Sequence, residues 1–168
     1  MPQSKFNHPL FGEVQFKTVS PEWKRGDKII FISGFDLNDV VSITIPQLIK
    51  VPGAGNGKLK VHKLAHLQLL KAFSLIDSTG QLHHVRTCAG TLSVRLRKPT
   101  SGALSKLPSN HAFGIAIDLN EGDPSFGDSI APLAPIFQSL GFTWGKAFND
   151  PMHFEVTRFL TAKDLEKF

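Results

Sequence analysis

Two imidazoles and two carboxylates between residues 111 and 153 of this 168-residue sequence have types and spacing that could do chemistry. His111 lies between Ser109 and Gly114, where the backbone can turn, and Asp118 follows seven residues later. A loop-and-strand unit that offers two N/O ligands needs one residue from a distant segment to make three protein contacts, and His153 is that candidate. Three protein ligands with one position left for water is the arrangement of catalytic zinc, whereas structural zinc is closed by a fourth ligand. Asp150, three residues before His153 across Pro151-Met152, is placed to stand beside the metal's water without ligating and to accept its proton. Zinc brings the pKa of such water from about 15.7 to around 7. A partly desolvated Asp150 would take the proton and deliver it to a leaving amine, as the general base and then general acid of peptide hydrolysis. The negative charge that develops on oxygen would be shared by the metal and a guanidinium, with Arg95 the candidate ahead of Arg97.

The other histidines and the lone thiol read as bystanders. His62 and His66 are four apart in a helix-like pattern, but Lys63-Leu64-Ala65 between them holds no Glu of the kind a metallopeptidase helix needs, so a solvated helix face is expected. His83 and His84 are read as pointing to opposite sides of a strand, and His8 as part of a mobile start. Cys88 is expected to be a buried inert thiol, since no local signature supports a thiol peptidase. Ser109 would touch substrate or brace the His111 loop, and Glu155 would hydrogen-bond a ligating imidazole or stay a surface carboxylate. Trp144 and Phe154 would belong to the core or form a substrate platform.

The elements that must position these residues are read from periodicity. Lys28–Gly34 and Val40–Ile45 are β-branched and aromatic and are expected to pair as a hairpin across Phe35–Asp39. After the Gly-rich loop Val51–Gly57, apolar residues from Leu59 to Ile76 fall at helical spacings. Gln81–Thr87 and Thr91–Arg97 are expected to form a second strand pair across Cys88-Ala89-Gly90. Phe113–Leu119 alternates Ile115, Ile117 and Leu119 with Gly114, Ala116 and Asp118, the period-2 pattern of a strand whose small side leaves room for the carboxylate. Ser129–Leu140 is expected to be a helix stopped by Gly141, with a final strand over His153–Thr157.

Composition bounds the class. The length and an apolar content of 41% fit one domain over residues 1–168, with 1–40 an extension or hairpin of unassigned role and 41–168 the core. A single cysteine excludes an internal disulfide framework and any multi-thiolate zinc site. The longest apolar runs are broken well short of the ~20 residues needed to cross a bilayer, so no membrane insertion is expected. The opening residues lack an apolar segment behind a basic one, so no signal peptide is read; the expectation is synthesis in the cytoplasm and action elsewhere after lysis or another export route. Nineteen Lys+Arg against fourteen Asp+Glu and a pI near 9.5 permit attraction to polyanions, but a solubilising surface is the expected reading of so scattered a surplus. No nucleic-acid motif accompanies the scattered basic residues, and no nucleic-acid partner is expected.

Ser109-Asn-His111-Ala-Phe-Gly114-Ile-Ala116-Ile-Asp118 resembles the S-x-H-x-x-G-x-A-x-D motif of the zinc D-alanyl-D-alanine carboxypeptidase family. Asp150-Pro-Met-His153-Phe-Glu155 is similar to that family's second motif, an acidic residue three before a histidine. Weaker similarity runs over roughly the last 120 residues. The family includes vancomycin-resistance dipeptidases and phage L-alanyl-D-glutamate endolysins. The resemblance implies an α+β fold in which an antiparallel sheet with flanking helices cradles one zinc. It implies His111, Asp118 and His153 as ligands, Asp150 as the acid/base, and the peptidoglycan stem peptide as substrate, cut at an L-Ala–D-Glu or a D-Ala–D-Ala bond. Asp150 stands where many relatives carry Glu, and Lys146-Ala-Phe148 where a second Gly and a Trp are expected. The rival readings are a zinc-containing wall-binding module that does not cut, and a zinc amidohydrolase of another substrate. Delivery machinery and an immunity partner are not specified by the sequence.

Overall fold

The computed structural model describes residues 1–168. β1 (Gln3–His8) and β2 (Gly12–Thr18) form an antiparallel hairpin whose inward side chains include Phe6, His8, Val14 and Phe16. β3 (Ile29–Ser33) joins β2, placing Phe31 opposite Phe16. The expected hairpin between Lys28–Gly34 and Val40–Ile45 is therefore not formed. β4 (Val40–Thr44) pairs instead with β5 (Lys58–His62). A short turn at Leu37–Asp39, capped by the Asp36 carboxylate on Asn38 N–H, leads from the end of β3 into β4. In β5 the alternation of Lys58 and Lys60 outward with Leu59 and Val61 inward decides for a strand, so the expected helix from Leu59 begins only at His66.

Helix α1 (His66–Ser78) turns Leu69, Ala72, Phe73 and Ile76 into the core. Gln68 is also fully buried, and its amide joins this helix to the C-terminal segment. Its Nε2 donates to the Leu140 and Arg158 carbonyls at 2.8 and 3.1 Å, and its Oε1 accepts from Leu160 N–H at 3.1 Å. Replacing Gln68 with Leu keeps much of the volume but strands these backbone groups in an apolar setting. A loss of about 2–4 kcal/mol is expected, read as a lowered denaturant midpoint with unchanged m.

The remaining strands make one antiparallel sheet. β6 (Cys88–Gly90), β7 (Ala116–Leu119), β8 (Phe142–Trp144) and β9 (His153–Val156) lie in the order β6-β7-β9-β8. The strand pair expected around Cys88-Ala89-Gly90 is thus replaced by a strand at those residues, paired with β7. Leu82–His84 forms a short 3-10 turn in which the His83 and His84 rings lie side by side, tilted by 37° with centroids 4.1 Å apart, rather than pointing to opposite sides of a strand. The helix expected over Ser129–Leu140 is a 3-10 turn, Ala131–Leu133, followed by α2 (Ala134–Ser139). Pro132 and Pro135, which lack the N–H that continuous helical bonding uses, occupy the first turns of these two pieces. Phe137 of α2 stacks on Phe154 of β9 at 4.2 Å, which fixes the helix over the sheet. α3 (Ala162–Leu165) closes the chain under a reciprocal Thr161–Asp164 cap.

The core is continuous from the N-terminal sheet to this four-stranded sheet. Phe113 is its junction: it stacks on Phe11 at 5.3 Å and meets Phe31 and Phe35 at 5.2 and 4.9 Å. Because Phe113 ends the turn that carries His111, the packing of the first forty residues bears directly on the site. The architecture is mixed α and β, with antiparallel sheets and few helices, and no helix is long and apolar enough to cross a membrane.

Candidate metal centre

His111 rides a 3-10 turn, Asn110–Phe113, that Ser109 caps by accepting His111 N–H on its hydroxyl at 3.2 Å. The turn ends at Gly114, whose φ of +68° is a conformation that disfavours any side chain. A Cβ there would also press on the backbone of His62 and the Val40 side chain. Beyond Gly114 the chain enters β7, and the expected alternation is observed: Ile115, Ile117 and Leu119 are buried, while Asp118 is half-buried and faces the cleft. β9 pairs with β7 so that His153 stands directly opposite Asp118. Antiparallel register thus brings together residues that are 35 apart in sequence.

The ligand-type atoms of His111, Asp118 and His153 all lie within 4.8 Å of one another. His111 Nε2 is 3.1 Å from Asp118 Oδ2, and His153 Nδ1 is 2.9 Å from Asp118 Oδ1. The opposite ring nitrogens are engaged elsewhere. His111 Nδ1–H donates to the Thr91 carbonyl at 3.1 Å, and His153 Nε2–H donates to Glu155 Oε1 at 3.0 Å. A carbonyl and a carboxylate can only accept, so each ring directs its remaining nitrogen at Asp118. Two imidazole nitrogens and one carboxylate, oriented by outer hydrogen bonds, are a donor set that fits a divalent transition metal.

The charges support the same reading. Burial would raise the Asp118 carboxyl, but hydrogen bonds from His111 and His153 overcome it and hold the group well below the usual range. Burial would lower His153, yet bonds to Asp118 and Glu155 prevail and raise it to about 9. Glu155, which burial alone would raise, is held low by His153. Below pH about 9 the metal-free His153 is thus held as an imidazolium, with a second ring proton on Nδ1 toward Asp118 that a cation must displace. Affinity for a divalent cation should rise with pH, approaching tenfold per unit around pH 7 and flattening toward pH 9, with one proton released per ion from this group. Competition titrations against a chromophoric chelator at several pH values check this; a pH-independent affinity would contradict it.

Asp150 sits at the rim, its Oδ2 3.9 Å from His153 Nδ1, with 43% of its side chain exposed. Burial of the remainder, with Asp118 nearby, pushes its carboxyl upward against the pull of His153. Gly145 makes this approach possible, since a Cβ there would collide with the Asp150 carbonyl and press on His153. An open cleft of about 620 Å³ spans the site. Arg95, Arg97 and Lys98 line it together with Asp150, and Phe148 is its one apolar side chain. Arg97 is tied down, its Nε donating to the Pro108 carbonyl and its guanidinium lying 5.9 Å over Phe6. Arg95 donates to the carbonyl of its neighbour Leu96.

Ser109 both braces the His111 turn and lines the cleft, and Glu155 is a partner of a candidate ligand. Trp144 does not line the cleft: it lies parallel to Phe154 at 6.3 Å and donates to the Pro151 carbonyl, supporting the turn that carries Asp150. His62 is not on a solvated helix face but is buried at the end of β5 among Phe11, Phe35 and Phe159, where desolvation lowers its pKa. Nor is His8 part of a mobile start; it is 4% exposed and hydrogen-bonded to Asn110. Cys88 is buried, with its thiol pKa pushed up by desolvation. Sequence reasoning missed Thr91, which acts through a backbone carbonyl that every residue has, and Asn110, a variable position inside the motif.

Residues 103–156 match the family model described as D-alanyl-D-alanine carboxypeptidase. The likeness to this zinc peptidase family therefore holds over the segment that contains His111, Asp118, Asp150 and His153. No curated protein and no solved structure matches the chain.

Proposed function

We propose that this protein is a zinc-dependent peptidase that hydrolyses an amide bond in peptidoglycan stem peptides, with a D-Ala-D-Ala-peptidase-like sheet, β6-β7-β9-β8, cradling the metal. The observation that carries the reading is the convergence of His111, Asp118 and His153 within the segment that matches a peptidase family. The same donor types also serve non-haem iron. The family match and a carboxylate poised beside the ligands favour hydrolytic zinc.

Zinc held by His111 Nε2, Asp118 and His153 Nδ1 would supply Lewis acidity toward the scissile carbonyl and toward water. Thr91 and Glu155 keep the two rings in the required tautomers and orientation. Asp150, at the rim beside the three ligands, removes a proton from the attacking water and returns it to the departing amine. Arg95, bonded through Nη1 to the adjacent Leu96 carbonyl, would present positive charge to the oxygen that becomes anionic, whereas Arg97 is held by both Pro108 and Phe6. Accordingly, Arg95→Ala should lower kcat more than Arg97→Ala; the reverse ranking would move the role to Arg97.

Incubating zinc-loaded protein with purified peptidoglycan and identifying released ends by mass spectrometry tests the reading. New amino and carboxyl ends within the stem peptide are expected, abolished by chelation and restored by zinc. The bond cut separates endopeptidase from carboxypeptidase action. Zinc binding without new ends would leave a wall-binding module, and the proposal would be wrong.

A further inference from the structure

A line of hydrogen bonds runs from the first strand to the candidate metal ligands. His8 ends β1 and lies outside the segment that matches the peptidase family. Its Nδ1 accepts Leu10 N–H at 3.0 Å, which leaves the ring proton on Nε2. Nε2–H donates to Asn110 Oδ1 at 2.9 Å. With its oxygen so engaged, the Asn110 amide turns Nδ2–H toward Glu155 Oε2. The other oxygen of Glu155 receives His153 Nε2–H at 3.0 Å, and His153 Nδ1 faces Asp118. From His8 to the Nε2–H of His153 every donor and acceptor has one assignment, because each is forced by the one before it.

The line is rigid as well as continuous. The His8 ring is packed between aromatic faces, 4.5 Å from Phe113, 4.9 Å from Phe11 and 5.5 Å from Phe6. Asn110 opens the turn that carries His111, so it touches both histidine ligands of the candidate centre, one through backbone and one through Glu155. Glu155 has two oxygens and would be free to rotate if it met His153 alone. The amide of Asn110 holds its second oxygen.

We propose that His8 is a positioning residue for the metal centre, fixing the orientation of His153 through Asn110 and Glu155. This inference rests on the metal reading given above. It makes the N-terminal sheet a working part of the site rather than a separable extension. An outer hydrogen-bond partner of a ligating histidine commonly contributes a factor of about 10–100 in metal affinity. A residue one link further out is expected near the lower end.

The test compares zinc affinity of the full chain with that of His8→Phe, His8→Gln and Asn110→Leu, by chelator competition, together with the visible absorption of the cobalt-substituted forms. His8→Phe keeps an aromatic ring among Phe6, Phe11 and Phe113 but has no donor; Asn110→Leu breaks the next link at similar volume and covers the case in which His8→Phe does not fold. Both should bind zinc about tenfold more weakly and alter the cobalt spectrum. His8→Gln, whose amide can reach Asn110, should recover to within about threefold of the parent. In a Glu155→Gln background, His8→Phe should have no further effect. Parental affinity and spectrum in folded His8→Phe or Asn110→Leu would overturn the inference and leave the metal reading intact. A parent chain that binds no zinc would overturn both.

Discussion

Replacing Asp150 with Asn should lower kcat on stem peptides by about 10²–10⁴-fold, the usual contribution of a positioned general base, while leaving zinc stoichiometry at the parental value. The amide is isosteric with the carboxylate but cannot take a proton. Its oxygen would stand where Asp150 Oδ2 stands, 3.9 Å from His153 Nδ1 and outside the group of three converging ligands. The pH profile carries a second signature. The profile of kcat/KM should have an acid limb, with activity rising with pH as Asp150 ionises. In Asp150→Asn that limb should disappear from the residual rate. Loss of zinc in this variant would make Asp150 a ligand, and retention of full turnover would assign the proton transfer to another group.

His111→Ala is expected to lose metal and activity together. Structural zinc sites in small peptides bind with about 10–16 kcal/mol shared over four ligands, so removing one ligand of three should weaken affinity by on the order of 10²–10³-fold. The fold should survive, because Phe113 and Ala112, both fully buried, anchor the turn independently of the imidazole. Equilibrium dialysis with zinc, read beside circular dichroism, separates metal loss from unfolding. A folded variant that retained parental affinity would remove His111 from the ligand set.

Much of the candidate site was legible because its chemistry is local in type and only its closure is long-range. The alternation of Ile115, Ile117 and Leu119 announced a strand with Asp118 on its other side, and β7 has that form. The pairing that sets His153 opposite Asp118 follows from two strands that could each be read alone. The N-terminal half was less legible. Val40–Thr44 has the composition of a strand, but nothing in it says whether its partner is Ile29–Ser33 or Lys58–His62. Leu59 and Val61 fit a period of 2 while Leu59 and His62 fit the opening of a 3.6-residue pattern, and the outward Lys58 and Lys60 beside inward Leu59 and Val61 decide for the strand. His8 could not be connected with Asn110, 102 residues away, because that contact depends on how the N-terminal sheet docks on Phe113. Gln68 likewise looks like a polar interruption of a helix until the carbonyls of Leu140 and Arg158 are placed above it.

X-ray absorption at the zinc edge, on protein dialysed to constant metal content, tests the central claim most directly. One zinc per chain is expected, with two imidazole nitrogens at about 2.0–2.1 Å, oxygen completing the coordination and no sulfur. A chain that retains no zinc, or a spectrum lacking imidazole scattering or containing a thiolate, would contradict it.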